Sequence, residues 1–194
     1  DHRLATANIA STSDQLTVMA WINPDSLDAP DRGILSKAGI FTLEIEEDGD
    51  EVAFTLINGG SFDEFEPDVP ANEVLTGTWT HVAATYDGTT TTIYLNGVAI
   101  ASETSSLSGL GSSTAPYYIG WNSVFGANRY FDGRLDEVAV FDRALSPSEI
   151  QLVFNNGLNS EAICTGQNQP PVAEDDMGTV PEDGTWVIDV LAND

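Results

Sequence analysis

The sequence predicts an all-β protein with one short helix near its C-terminal end. Three observations carry this: apolar residues alternate with period two over most of residues 16–141, Gly-containing dipeptides of hairpin type punctuate the alternation, and helical periodicity occurs in a single segment, 143–157.

The elements follow in order. LTVMAWI (16–22) is apolar in both phases, as expected of a strand covered on both sides. FTLEI (41–45) and VAFTL (52–56) alternate cleanly, with Phe41, Leu43 and Ile45 in one phase and Val52, Phe54 and Leu56 sharing the phase of the partner strand. Between them Asp48-Gly49 marks a tight hairpin, because glycine accepts a positive φ. Residues 79–102 read as a three-strand meander, with Asp87-Gly88 at the first turn and Asn96-Gly97, the preferred type I′ pair, at the second. YYIGW (117–121) and YFDGRLDEVAVF (130–141) supply further strands. In the latter the apolar phase breaks at Asp136-Glu137, which calls for a β-bulge or a change of side. The helix has its start written out: Ser146 caps, Pro147 takes the first helical position, and Glu149 completes a capping box. Ile150, Val153 and Phe154 share one face, and Gly157 is expected to close it. Residues 163–171 read as a linker stiffened by two prolines, and 172–194 begin a second β-pattern too short to fold alone.

Charge narrows the partners. Six Lys and Arg stand against 31 Asp and Glu, a net charge of −25 in 194 residues. That field repels phosphate backbones and anionic membrane surfaces, so nucleic acid is excluded as a partner. No apolar run approaches the roughly 20 residues of a membrane-spanning helix, so membrane insertion is not expected. Cys164 is the one cysteine, which leaves no internal disulfide and no zinc set. The chain opens at Asp1 without a Met and stops mid-pattern at Asp194, which reads as a piece of a longer protein.

The ordered run AWINPD (20–25), ILSK (34–37), GTWTHVAATYDGTTTTIYLNG (77–97), YYIG (117–120) and FDGRLDEVAVFDRALSPSEI (131–150) resembles the laminin G-like domains of bacterial secreted and surface proteins. The resemblance implies a concanavalin A-like jelly roll of two antiparallel sheets over residues 1–162. The tail from Asn168 resembles the opening of the cadherin-like repeats of large bacterial adhesins, which implies an extracellular or cell-surface setting and further modules in the same chain.

LEIEEDGDEV (43–52) holds six carboxylates, and jelly-roll glucanases place catalytic carboxylates on such a strand. Here Glu46 stands where the glucanase pattern has Asp, and the third acid falls in the turn. Glu44 and Glu46 lie about 7 Å apart along one strand face, but no surrounding group identifiable from sequence would raise a carboxyl pKa for acid catalysis. The expectation is a solvated face and turn, or a ligand contact by Glu44 and Glu46, with no catalytic residues. His81 reads as a packed strand residue. The acids of SFDEFEPDVP (61–70) read as a solvated loop.

An acid at the break of the 130–141 strand needs compensation for burial, which calcium or backbone amides supply. The resemblance implies calcium held by Asp136 and the carbonyl of Gly39. Trp21 and Trp79 match core positions of the family pattern. Trp121 opens the loop WNSVFGANRYFDG (121–133), where Asn122, Arg129 and Tyr130, with Tyr118 beside them, are either the equipment for stacking on a sugar and bonding its hydroxyls or, for Trp121 and Tyr130, a cover over the edge of the core. The expectation is a non-enzymatic module for an extracellular glycan or protein ligand in adhesion or targeting. A structural spacer of an adhesin and an accessory module of a polysaccharide-degrading enzyme stand as alternatives.

Overall fold

A computed structural model describes residues 4–5, 13–27, 32–46, 51–68, 74–125 and 128–158. The linker at 163–171 and the β-pattern at 172–194, with Cys164 and Trp186, lie outside the described residues, as does the turn at Asp48-Gly49.

The described residues form two antiparallel sheets. In chain order the strands are β1 (Leu4–Ala5), β2 (Leu16–Pro24), β3 (Arg32–Lys37), β4 (Phe41–Ile45), β5 (Val52–Asn58), β6 (Ser61–Phe65), β7 (Thr80–Tyr86), β8 (Thr90–Leu95), β9 (Val98–Thr104), β10 (Tyr118–Ile119) and β11 (Gly133–Phe141), followed by helix α1 (Pro147–Leu158). One sheet has the order β1-β10-β3-β4-β5-β6 and the other β11-β2-β7-β8-β9. The core lies between them. Leu43, Phe54, Phe41 and Leu35 of the first sheet meet Val18, Ala20, Ile22, Val82 and Ile93 of the second in one fully buried cluster. Each large aliphatic or aromatic side chain there contributes about 1.5–3 kcal/mol of burial free energy.

The doubly apolar pattern of β2 has its explanation in α1. Val18, Ala20 and Ile22 face the core, while Met19 joins Ala83, Tyr94, Leu145, Ile150 and Val153 in a second cluster beneath the helix. Trp21 stacks on Phe154 at 5.5 Å and meets the edge of His81 at 5.5 Å, so His81 is packed between aromatic rings. The helix is capped as its sequence specifies: the Ser146 amide donates to Glu149 Oε2 at 2.8 Å, and Arg143 adds a paired contact to the same carboxylate. Gly157 does not close the helix, which runs to Leu158. A Cβ there would lie 2.3 Å from Trp21 Nε1, so close approach of helix to sheet is what requires glycine.

The meander forms as its turns dictate. Asn96 and Gly97 both take positive φ, 49° and 78°, as a type I′ turn requires. In β11 the break is a bulge: the register shifts between Asp136 and Ala139, and Glu137 has φ 46°. One extra residue carries the inward phase from Leu135 to Val138. The 61–70 segment is not simply a solvated loop, because Ser61–Phe65 pairs with β5 as the edge strand β6. Its Asp63 accepts bonds from Ser105 Oγ (2.6 Å) and from the Ser106 amide and hydroxyl. Burial alone would raise this carboxyl, but those bonds outweigh it and hold it below the usual carboxylate range. β6 thereby ties to the segment that follows β9 of the other sheet. No helix among the described residues is long and apolar enough to cross a membrane.

Candidate functional site

The loop that follows β10 folds onto the outer face of the six-stranded sheet. Backbone pairing fixes it. Gly120 (φ 75°) turns the chain and donates to Ile34 O at 2.9 Å, Trp121 and Tyr130 form an antiparallel bridge, and Tyr130 bridges to Gly33 of β3. Gly33 N and Asn122 N both donate to Arg129 O, at 3.3 and 3.1 Å. The Ser36 hydroxyl donates to Trp121 O (2.8 Å) and accepts from Ser123 N (2.9 Å). Loop and sheet are so close at Gly33 that a Cβ there would lie 2.0 Å from Asn122 N.

This anchoring gathers three aromatic rings. Trp121 stacks on Tyr130 (6.1 Å, 20° between planes), and Tyr118 meets Trp121 edge-on at 4.9 Å. All three are half-buried, so each keeps surface toward solvent. Arg129 lies over the Phe125 ring at 5.6 Å, and Phe125 packs on Phe62 of β6 at 5.5 Å, extending the apolar surface across the sheet.

Of the residues assigned to ligand binding from sequence, the structure thus brings Tyr118, Trp121, Arg129 and Tyr130 to one face. Asn122 differs. It has no exposed surface, its Nδ2 donates to Glu44 Oε2, and its Oδ1 accepts from the amides of Val124 and Phe125 at 2.9 and 3.2 Å. With no exposed surface, an Asn whose amide oxygen caps its own loop and whose nitrogen serves a buried carboxylate does not reach a sugar hydroxyl. It holds the loop instead.

The groups expected to hold calcium are not brought together. Gly39 sits in the β3–β4 turn, its carbonyl against Gly111 and its Cα side toward Ser113. That turn adjoins Leu16, one end of β2, because Ile40, Lys37 and Leu16 line the same cavity. Asp136 belongs to the other sheet and pairs with Trp21, five residues further along β2, about 16 Å at the strand rise. Asp136 Oδ1 accepts from the Glu137 amide at 2.8 Å, so the bulge's own backbone supplies its partner.

Sequence reasoning missed the environment of Glu44. It lies on the outer face of β4 yet is only 1% exposed. Burial first, then repulsion from Glu46, raises its carboxyl to about 8 against the opposing bond from Asn122, with Glu64 adding further repulsion. Carboxylate oxygens of Glu44, Glu46 and Glu64 all lie within 4.8 Å of one another. The signal was Glu64 itself: once 61–65 is paired as a strand, Thr55 stands opposite Glu64 and the acids of β4 and β6 share a face.

Two cavities lie away from the aromatic patch. One of about 410 Å³ runs between Leu16, Lys37, Ile40, Leu110 and Tyr117. Another of about 470 Å³ is lined by Trp21, Trp79, Asp136, Glu137, Gly157 and Leu158. Trp79 was expected in the core and is 41% exposed instead, because it precedes β7 at the rim of the sheet.

Residues 1–151 match the concanavalin A-like lectin/glucanases superfamily, in its laminin G form. The chain belongs to that family. This laminin G-like domain also matches solved structures. One is a protein from Bacteroides ovatus described as carbohydrate binding, with 25% identity, a TM-score of 0.62, and 78% of this chain and 44% of that one covered. Another is the binding domain of Paraclostridial Mosquitocidal Protein 1, at 18% identity and TM-score 0.64, covering 81% of this chain and 41% of that one. A third is the Ruminococcus gnavus sialidase CBM40 bound to α2,3-sialyllactose, at 18% identity and TM-score 0.60, with 79% and 97% covered. The domain spans less than half the length of the first two. The shared fold is the concanavalin A-like jelly-roll sandwich. A comparison with curated proteins found no match.

Proposed function

We propose that this domain is a non-catalytic glycan-binding module. It works outside the cell or at its surface, as one unit of a longer chain engaged in adhesion or targeting. The single observation that carries the reading is the ring platform of Trp121 and Tyr130, with Tyr118 on its edge, half-exposed and fixed by backbone pairing to β3. Rigid aromatic planes stack on the apolar faces of sugar rings at low entropic cost, and Arg129 beside them supplies hydroxyl-bonding donors. Relatives of this fold named for carbohydrate binding, and one bound to sialyllactose, support the assignment.

Glu44 argues for binding rather than hydrolysis. A carboxyl raised to about 8 beside two others has the chemistry of a general acid. Only 1% of Glu44 is exposed, however, and one of its oxygens is taken by Asn122, so a glycosidic oxygen does not reach it. The test is a glycan array with the protein and Trp121→Ala, paired with an assay for released reducing sugar. The expected result is binding to a defined glycan set, a loss of at least about tenfold in the variant as for a central aromatic contact, and no sugar release. Silence toward all glycans, or undiminished binding by the variant, would replace this function with that of a spacer or protein-binding module.

A further inference from the structure

We infer that Glu44, Glu46 and Glu64 form a divalent cation site, best suited to calcium, on the outer face of the six-stranded sheet. This goes beyond glycan recognition and does not depend on it.

Three features converge. The first is geometry: one oxygen from each of the three carboxylates lies within 4.8 Å of the others. Calcium takes oxygen ligands at about 2.3–2.6 Å in flexible geometry, so three oxygens this close can share one ion, whereas magnesium demands near-octahedral ligation and gives up its water reluctantly.

The second is an orphaned atom. Glu44 is 1% exposed, its Oε2 is bonded by Asn122, and its Oε1 has no hydrogen-bond partner. A buried carboxylate oxygen without a partner costs folding free energy unless something compensates it. Neither Glu44 nor Glu64 is ion-paired to a basic side chain among the described residues.

The third is the surroundings. Thr42 and Thr55 face each other across β4 and β5, two residues from Glu44 and opposite Glu64 respectively. Their buried hydroxyls also lack hydrogen-bond partners, which leaves unmatched oxygen beside the carboxylates. The burial gradient gives the ion a way in, since Glu44 is buried, Glu46 half-buried and Glu64 exposed. Glu44, held by Asn122, is the fixed ligand, and Glu64 closes from the surface. Because Asn122 also organises the aromatic loop, an ion at Glu44 would brace the platform from beneath.

The experiment is calorimetric titration of calcium chloride alone into protein stripped with EDTA, without any glycan, alongside thermal unfolding in calcium and in EDTA. The expected outcome is one saturable site with a raised melting temperature, weaker binding of magnesium, and at least about tenfold loss of calcium affinity in both Glu64→Gln and Glu46→Gln. Glu64 is exposed on an edge strand, so its variant tests the site without threatening the fold. Glu103→Gln, on the exposed face of β9, controls for the general attraction of a highly acidic protein and should bind as the wild type does. Absence of saturable calcium binding by the wild type would overturn the inference. So would unchanged affinity in Glu64→Gln, or a loss equally large in Glu103→Gln.

Discussion

Replacing Gly33 by Ala tests how the aromatic platform is held. A Cβ at Gly33 would meet three backbone atoms, Asn122 N at 2.0 Å, Trp121 C at 2.3 Å and Asn122 Cα at 2.6 Å. Nonbonded heavy atoms settle at about 3.5 Å, so the loop backbone must retreat by roughly 1.5 Å. Backbone cannot rotate aside as a side-chain tip can. The retreat would stretch Gly33 N to Arg129 O, Gly120 N to Ile34 O and Ser36 Oγ to Trp121 O, now at 3.3, 2.9 and 2.8 Å. Overpacking of this kind costs about 1–3 kcal/mol. Displacing a stacking plane by more than 1 Å weakens binding on the order of 10–100-fold. The core on the opposite face of β3, including Leu35 against Leu43, is untouched, so the far-ultraviolet spectrum should be unchanged. Urea unfolding gives the stability change, and titration with an array-positive glycan gives the affinity. Wild-type affinity with a stability loss below about 0.5 kcal/mol would refute the claim that contact at Gly33 positions the loop.

Three other outcomes are expected. Burial holds the His81 imidazole down at about 4 instead of 6.5. A depressed folded-state pKa contributes stability that is present above about pH 6.5 and lost as pH falls through 4, in all about 3 kcal/mol for this shift. His81→Phe should therefore lose less stability than the wild type in urea titrations at pH 7 and pH 4.5, and parallel losses would contradict the burial argument. Gly157→Ala should destabilise by about 1–3 kcal/mol despite alanine's better helix propensity, because its methyl meets Trp21; a stabilised variant in thermal unfolding would show that the helix moves freely. Ser146→Ala removes the helix cap and should cost about 1 kcal/mol in the same assay without altering glycan binding, and an altered affinity would mean that α1 communicates with the loop.

What sequence made legible was whatever local chemistry decides. Asn96-Gly97 and the Ser146–Glu149 box specify their own geometry, and strict alternation identified the inward phases of β4 and β5. The doubly apolar β2 announced a second covered face, and the helix supplies it. The aromatic loop was legible because a Trp at a strand end, followed by amides, Arg and Tyr, fits no core period. Long-range pairing was not legible. β6 carries Asp63 and Glu64 and so looked like a solvated loop, yet charged residues are what an edge strand tolerates. Without β6 on the sheet, Glu64 had no reason to approach Glu44, and Glu44 had no reason to be buried. Asn122 was misassigned for a similar cause: an amide's partners are fixed by the fold, and its type alone suits a sugar hydroxyl and a buried carboxylate equally. Gly157 likewise looked like a helix terminator until Trp21 came to lie against it.

The most direct test of the proposed glycan-binding face is nuclear magnetic resonance of the indole N–H groups, assigned by Trp→Phe variants, during titration with the array's strongest glycan. Trp121 lies on the outer face of the six-stranded sheet, whereas Trp21 and Trp79 border a cavity on the five-stranded sheet. The expected result is a saturable shift of the Trp121 resonance with those of Trp21 and Trp79 unmoved. A shift of Trp79 and Trp21 with Trp121 silent would contradict it and place recognition at the cavity beneath the end of the helix.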